Sequence, residues 1–168
     1  IVSSVLVSCG CGDKETHEVV IGFLGDQTGP SSEAFRAILE SYEDYITVMQ
    51  AENPIPGVKV TILPYDTRYE YARVPMGYEY LKDKGMVLLM QYMQDQQPIT
   101  LDSQIEDSIP SLAFNEKEGM EDQSWVFAHV PKSYYEGTWV MDYILKNWDY
   151  AKMGRAVEVG HLAMAGFP

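Results

Sequence analysis

Catalysis at neutral pH draws on a short set of side chains, and few of them stand together in this chain. The three histidines, His17, His129 and His161, are scattered, and the last two fall in runs that read as strands. No G-x-S-x-G nucleophile elbow occurs. Gly25-Asp26-Gln27-Thr28-Gly29 has no lysine after its second glycine and lacks the GxGxxG spacing, so it carries no nucleotide-binding signature. Asp26 and Asp66 each follow a strand-like run. Phosphoacceptor chemistry needs two acidic residues together after the first strand, and only Asp26 stands there. Glu43-Asp44 and Glu106-Asp107 read as solvated helix faces. No enzymatic activity, cofactor or metal site is expected.

What remains is the chemistry of recognition. Residues 91–97 read Gln-Tyr-Met-Gln-Asp-Gln-Gln. Amide side chains both donate and accept, which suits a polar small molecule. Residues 26–31 precede a helix whose first amides can hold an anion or be capped by Ser31 or Ser32. Residues 115–119 form a third polar stretch. For each of these the alternative is a solvated loop.

The elements that must position these loops follow from hydrophobic periodicity. Residues 19–24 (VVIGFL) and 86–90 (MVLLM) are continuous apolar runs, the mark of strands buried on both faces. Residues 58–63 alternate, with Val58, Val60 and Ile62 on one side. Residues 109–114, 125–130 and 157–163 read as further strands. Phe35, Ile38, Leu39, Tyr42, Ile46 and Met49 recur at three and four, predicting a helix over 32–52. Tyr71, Val74, Tyr78 and Leu81 mark a second helix. Pro75 falls inside that span, so this helix should kink or start near it. Residues 98–108 read as a third helix with Pro98 in its first turn. Trp139, Val140, Tyr143, Ile144 and Trp148 outline a fourth.

Alternation of apolar strands with amphipathic helices predicts an α/β fold: a doubly wound, mainly parallel five-stranded sheet over residues 18–130, in the order 2-1-3-4-5. In such sheets ligands sit beyond the carboxyl ends of the strands, at the switch point. That rule selects the loops after strands one, three and four. Residues 131–168 hold too little chain for a core of their own and should not complete a globular domain.

Composition narrows the partners. Twelve Lys and Arg against 25 Asp and Glu give a net charge of −13. Binding to nucleic acid or to anionic lipid by charge is disfavoured, because both need cations. No apolar stretch approaches the roughly 20 residues that span a bilayer.

Both cysteines lie near the start. Leu6-Val7-Ser8-Cys9 fits a bacterial lipobox, with an aliphatic residue three before the cysteine and a small one next to it. The residues before it would then be the tail of a signal peptide. Acylation of Cys9 would anchor the protein to a membrane, with residues 12–17 opening a tether. Competing readings are a short buried strand before a Gly-rich turn, and a half metal site of Cys9 and Cys11, which lacks further cysteines to complete about four zinc ligands. The chain does not begin with Met and stops just after a strand-like run, so a fragment of a longer protein is expected.

With these elements placed, the chain resembles the type I periplasmic binding proteins, in their branched-chain amino-acid-binding group. Residues 20–30 (VIGFLGDQTGP) resemble that group's opening strand and Thr-Gly turn. Tyr65-Asp66-Thr67 resembles its second strand ending in an acidic residue. Ile109-Pro110-Ser111-Leu112 resembles its Ile-Pro strand. Residues 125–133 (WVFAHVPKS) resemble the aromatic strand ending in Val-Pro-Ser where the chain first crosses to a second lobe, here with Lys132 inserted.

The resemblance implies three regions: residues 1–17 as signal-peptide tail, lipobox and tether, 18–130 as ligand-binding lobe one, and 131–168 as hinge crossing and incomplete lobe two. It implies a lipid-anchored protein, periplasmic or on the outer face of the cell membrane. That protein would capture a small polar solute and deliver it to the membrane subunits of an ABC importer. A sensory domain of the same fold, and more distantly a cytoplasmic flavodoxin-like enzyme, are the alternatives. Where the group often carries Ser-Ser and Ala-Thr, this chain has Gln94-Asp95 and Asn115-Glu116-Lys117. The expected ligand residues are Gln27, Thr28, Gln94, Asp95, Asn115 and Glu116. Their two carboxylates favour an amino acid, amide or amine over a simple carboxylate. The lipobox generates the first test: mass spectrometry of the native protein should find a lipid adduct on an N-terminal Cys9, and an unmodified Cys9 behind a longer N-terminus would refute it.

Overall fold

A computed structural model describes residues 16–52, 54–114, 125–130 and 133–160. The chain divides into two units, one ending at Val130 and one starting at Pro131. The first unit runs β1 (His17–Gly25), α1 (Ser32–Glu52), β2 (Val58–Asp66), α2 (Arg73–Asp83), β3 (Met86–Gln91), α3 (Gln97–Asp107), β4 (Ser111–Ala113) and β5 (Val126–Ala128), with a 3-10 turn (Gln94–Gln96) before α3. Its sheet has the order β2-β1-β3-β4-β5, and every pair is parallel. The expected topology is therefore the observed one.

Period-two alternation divides the core between the two faces of the sheet. Phe23 and Met90 point to one side, where they pack with Phe35 and Leu39 of α1. Leu24 and Leu89 point to the other, against Val74, Tyr78 and Leu81 of α2 and against Ile109. Both faces of β1 are thus buried, which is why its sequence shows no polar alternation.

Pro75 is the third residue of α2. A first-turn amide has no partner within the helix, so the missing N–H costs nothing there. The second expectation for this span, a start near Pro75, is the one realised. α3 ends at Ser108 in the left-handed conformation (φ 57°), and the Ile109 amide bonds back to the Gln104 carbonyl at 2.9 Å. β4 and β5 are shorter than the runs at 109–114 and 125–130. Ile109 is used by the turn, and Pro110 has no N–H to give a ladder.

Helix α2 approaches the sheet through Gly77. A Cβ there would lie 2.4 Å from Tyr65 Cδ1 and 2.6 Å from Leu24 Cδ2. Leu24 is fully buried, and the Tyr65 ring is held by a tilted contact with Tyr80 at 5.7 Å and by the Arg73 guanidinium 5.6 Å from its centre. Tyr78 donates to Asp107 at 3.0 Å, and Lys82 pairs with the same carboxylate at 2.7 Å, joining α2 to α3.

The second unit contains α4 (Ser133–Asn147) and α5 (Tyr150–Met153). Asp149 caps α5 by accepting from the Lys152 amide at 3.1 Å, and Gly154 (φ 65°) closes it. The strand expected at 157–163 is not formed over its described part, residues 157–160; the rest lies outside the described residues. A strand persists only when its backbone groups pair with a neighbour, and the described part of this unit holds no strand to pair with. Trp139, Tyr143 and Leu145 of α4 are exposed.

The tight contact at Gly77 generates a stability prediction. Gly77→Ala should lower the unfolding free energy by roughly 1–3 kcal/mol, the usual cost of overpacking. Chemical denaturation measures it, and an unchanged midpoint would contradict this packing.

Candidate functional site

Strand register builds the site. Leu24, Gln91, Ala113 and Ala128 lie in one row across β1, β3, β4 and β5. One residue further along, Asp66 and Gly25 are paired, and Tyr92, Phe114 and His129 continue the same row. All five strands therefore deliver their loops to one edge.

Two carboxylates shape the loop leaving β1. Buried Asp26 accepts from the Gly29 amide at 2.5 Å and the Ser31 amide at 2.7 Å. Asp26 organises the approach to α1, a role the sequence suggested for the hydroxyls of Ser31 or Ser32. A Cβ on Gly29 would sit 2.6 Å from this carboxylate and 2.9 Å from the Arg68 carbonyl, so only glycine fits. Asp66, at the end of β2, accepts from the Gln27 amide at 2.8 Å, the Thr28 hydroxyl at 2.6 Å and the Arg68 amide at 3.0 Å. The Arg68 guanidinium lies 3.6 Å away. Desolvation pushes the Asp66 carboxyl up, but these donors outweigh it and hold the group below its ordinary 3.8.

The next residues connect this clasp to β3. Arg68 and Tyr69 have φ of 52° and 62°. Two consecutive left-handed residues without glycine are unfavourable by roughly 1–2 kcal/mol each. Tyr69 is driven into the cluster around Phe23. Burial pushes its hydroxyl up, and the charges of Asp95 and Asp26 push it further. Tyr69 therefore lies within electrostatic reach of both loops. Tyr71 donates a hydrogen bond to Asp95, which raises the phenol in turn.

The turn carrying Asp95 is braced from inside. Gln91 donates to the Gln96 carbonyl at 3.0 Å, Thr100 to the Gln91 amide oxygen at 2.9 Å, and Gln104 to the Thr100 hydroxyl at 2.8 Å. Gln91, Gln96 and Gln97 are buried. Much of the amide-rich stretch therefore supports the loop from within the fold.

Of the six expected ligand residues, Gln27 and Thr28 are fastened to Asp66, and Asp95 is reached by Tyr71. Gln94 opens the 3-10 turn. Asn115 and Glu116, like Cys9, lie outside the described residues. Sequence reading placed Tyr71 on a helix face, whereas it precedes α2 and serves Asp95. It also left Asp66 outside the expected site. The signal for Asp66 was its position, an acid closing a strand beside the first one. Among the described residues no cluster of three His, Cys, Asp or Glu could hold a metal ion. No helix there is long and apolar enough to cross a membrane. A depression of about 290 Å³ between Gln50, Thr47 and Lys59 lies along the outer edge of β2, away from the strand tips.

The depressed Asp66 group sets an acid dependence. The stability it contributes is fully present above the ordinary carboxylate value and is lost as pH falls through the lower folded value. Asp66→Asn should destabilise the protein at neutral pH by about 1–2 kcal/mol, discounted for partial exposure. The difference from wild type should shrink below pH 3.8. Thermal melts across pH measure this, and a constant difference would contradict it.

Comparison with known proteins agrees with this architecture. No curated protein sequence matches the chain. Among solved structures, a possible leucine/isoleucine/valine-binding protein from Rhodopirellula baltica superposes with a TM-score of 0.73 at 14% identity, over 81% of this chain and 38% of that one. A branched-chain amino acid ABC transporter protein from Thermus thermophilus, with bound valine, gives 0.70 at 19% identity, over 78% and 35%. The substrate-binding protein LivJ from Streptococcus pneumoniae, with isoleucine, gives 0.67 at 12% identity, over 78% and 39%. At such identities the likeness is one of fold, and the chain spans well under half the length of these proteins. The sequence profile described as periplasmic binding protein matches residues 18–161, and the chain belongs to that family.

Proposed function

We propose that this chain forms the first lobe, residues 18–130, and the start of the second, residues 131–168, of an extracytoplasmic solute-binding protein that serves an ABC importer. The whole protein captures a small polar solute between two lobes. Acylated Cys9, after a signal-peptide tail, holds it at the membrane through a tether ending near residue 17. Family membership supports the class of function, and the structure of lobe one supports the place of binding.

The observation that carries the reading is the convergence of three loops at the carboxyl end of a parallel sheet. Asp66 joins the first loop to the second, and Tyr71 joins the second to the third. Gln27, Thr28, Gln94 and Asp95 are the proposed contacts here, with Asn115 and Glu116 contributed by the loop after β4. Asp66 has an arginine partner and Asp107 a lysine, but no described cation pairs with Asp95. Among the described residues its charge is met by a phenol donor alone. That favours a ligand bringing an ammonium group or amide protons, and it disfavours a bare carboxylate.

A thermal-shift screen of the full-length protein against amino acids, amides and amines tests the proposal, because a ligand that binds only the folded state raises its stability. A solute that raises the melting temperature of wild type should bind Asp95→Ala more weakly by roughly 1–3 kcal/mol. Unchanged affinity would remove Asp95 from the site, and the absence of any stabilising solute would count against the function.

A further inference from the structure

We infer that the solute is an amine carrying an aromatic ring, with its ring laid on Phe114 and His129 and its ammonium drawn to Asp95. The inference rests on the solute-binding reading and names the class of solute.

Tyr92, Phe114 and His129 are the residues directly after β3, β4 and β5. Their register is maintained past the strand ends, because the His129 amide donates to the Ala113 carbonyl at 3.3 Å and the Val130 amide to the Phe114 carbonyl at 3.1 Å. The three rings consequently meet. Phe114 and His129 are edge-to-face at 5.3 Å, Tyr92 and His129 are 5.8 Å apart, and Tyr92 and Phe114 are 6.4 Å apart. Edge-to-face contacts at these separations are the favourable geometry for aromatic groups.

The tier is fixed at one end and open at the other. Tyr92 packs on Phe23 at 6.1 Å, and its hydroxyl shares a hydrogen bond with that of Tyr42 on α1. Phe114, by contrast, is 48% exposed, and His129 is exposed too. Helix α1 packs chiefly on β1 and β2, whereas Phe114 and His129 follow β4 and β5. An open aromatic surface lies where parallel sheets bind ligands, and a ligand's ring can extend it.

The charge belongs to the same loop. Asp95 follows Tyr92 by three residues, on the turn braced by Gln91 and Thr100. Its described partner is the Tyr71 hydroxyl, and no cation among the described residues pairs with it. A ligand carrying both an ammonium and a ring would use both features, and ring faces themselves attract cations. A branched aliphatic side chain would fill the space without using the ring geometry.

Calorimetry on the full-length protein tests this with four probes: phenethylamine, 3-phenylpropanoate, isobutylamine and L-valine. Phenethylamine should bind most tightly. Phe114→Ala should weaken it about tenfold, Phe114→Tyr should retain it, and Phe114→Leu should behave like alanine, since leucine keeps apolar bulk without a ring. Melting temperatures of the unliganded variants check that each is folded, as expected for a half-exposed position. If isobutylamine or valine binds at least as tightly and ignores Phe114→Ala, the ring assignment falls while the solute-binding function stands. If phenethylamine does not bind, the inference is overturned, and the broader solute screen decides the function independently.

Discussion

Parallel pairing is the constraint on which the rest of this lobe depends. β1 is matched to β2 along nine residues, and its other edge is matched to β3. Buried backbone donors and acceptors must pair, so a central strand cannot shift without stranding them. Strands that run the same way send every connection back over a face of the sheet. They also leave all five carboxyl ends at one edge. The helices and both halves of the core follow from the first consequence, and the candidate site follows from the second.

At that edge the loops are held by charge and by buried amides. Asp66 gathers amides and a hydroxyl from two loops, and these donors fix the backbone that presents Gln27 and Thr28. The left-handed pair Arg68 and Tyr69 is unfavourable by itself. It is offset by the Asp66 contacts and by the burial of Tyr69 beside Phe23. Strain of this kind persists where surrounding structure over-determines it, and such places are often ligand sites. On the other face, the Gln91–Thr100–Gln104 chain of hydrogen bonds steadies the turn bearing Asp95. The result is a set of fastened loops in which Asp95 has a phenol donor and, among the described residues, no cation.

Much of this was legible in the sequence because burial leaves a periodic trace. Phe23 and Leu24 sit in an unbroken apolar run because each faces a different half of the core. Phe35, Ile38, Leu39 and Tyr42 repeat at helical spacing because α1 shows one stripe to the sheet. Other features leave no such trace. Arg and Tyr are not residues that signal left-handed backbone, so the turn at 68–69 was hidden. A glutamine inside a protein is spelled like one in solvent, so residues 91–97 read as a ligand-facing or a solvated loop, whereas Gln91, Gln96 and Gln97 are buried. Tyr71 fits a helical stripe by spacing, and only the three-dimensional path takes its hydroxyl to Asp95. The apolar run at 157–160 has strand composition, but composition cannot supply the neighbour a strand needs.

Solute binding at the carboxyl edge of this sheet, against loops joined by Asp66 and Tyr71, has a direct signature in backbone protection. Hydrogen–deuterium exchange of the full-length protein, with and without a stabilising solute, tests it most directly. Binding at this edge should add protection in residues 26–31, 66–71 and 92–96, with the amino-terminal halves of β1 and β2 unaffected. Protection confined to the outer edge of β2, around Gln50 and Lys59, with none in those three loops, would contradict it.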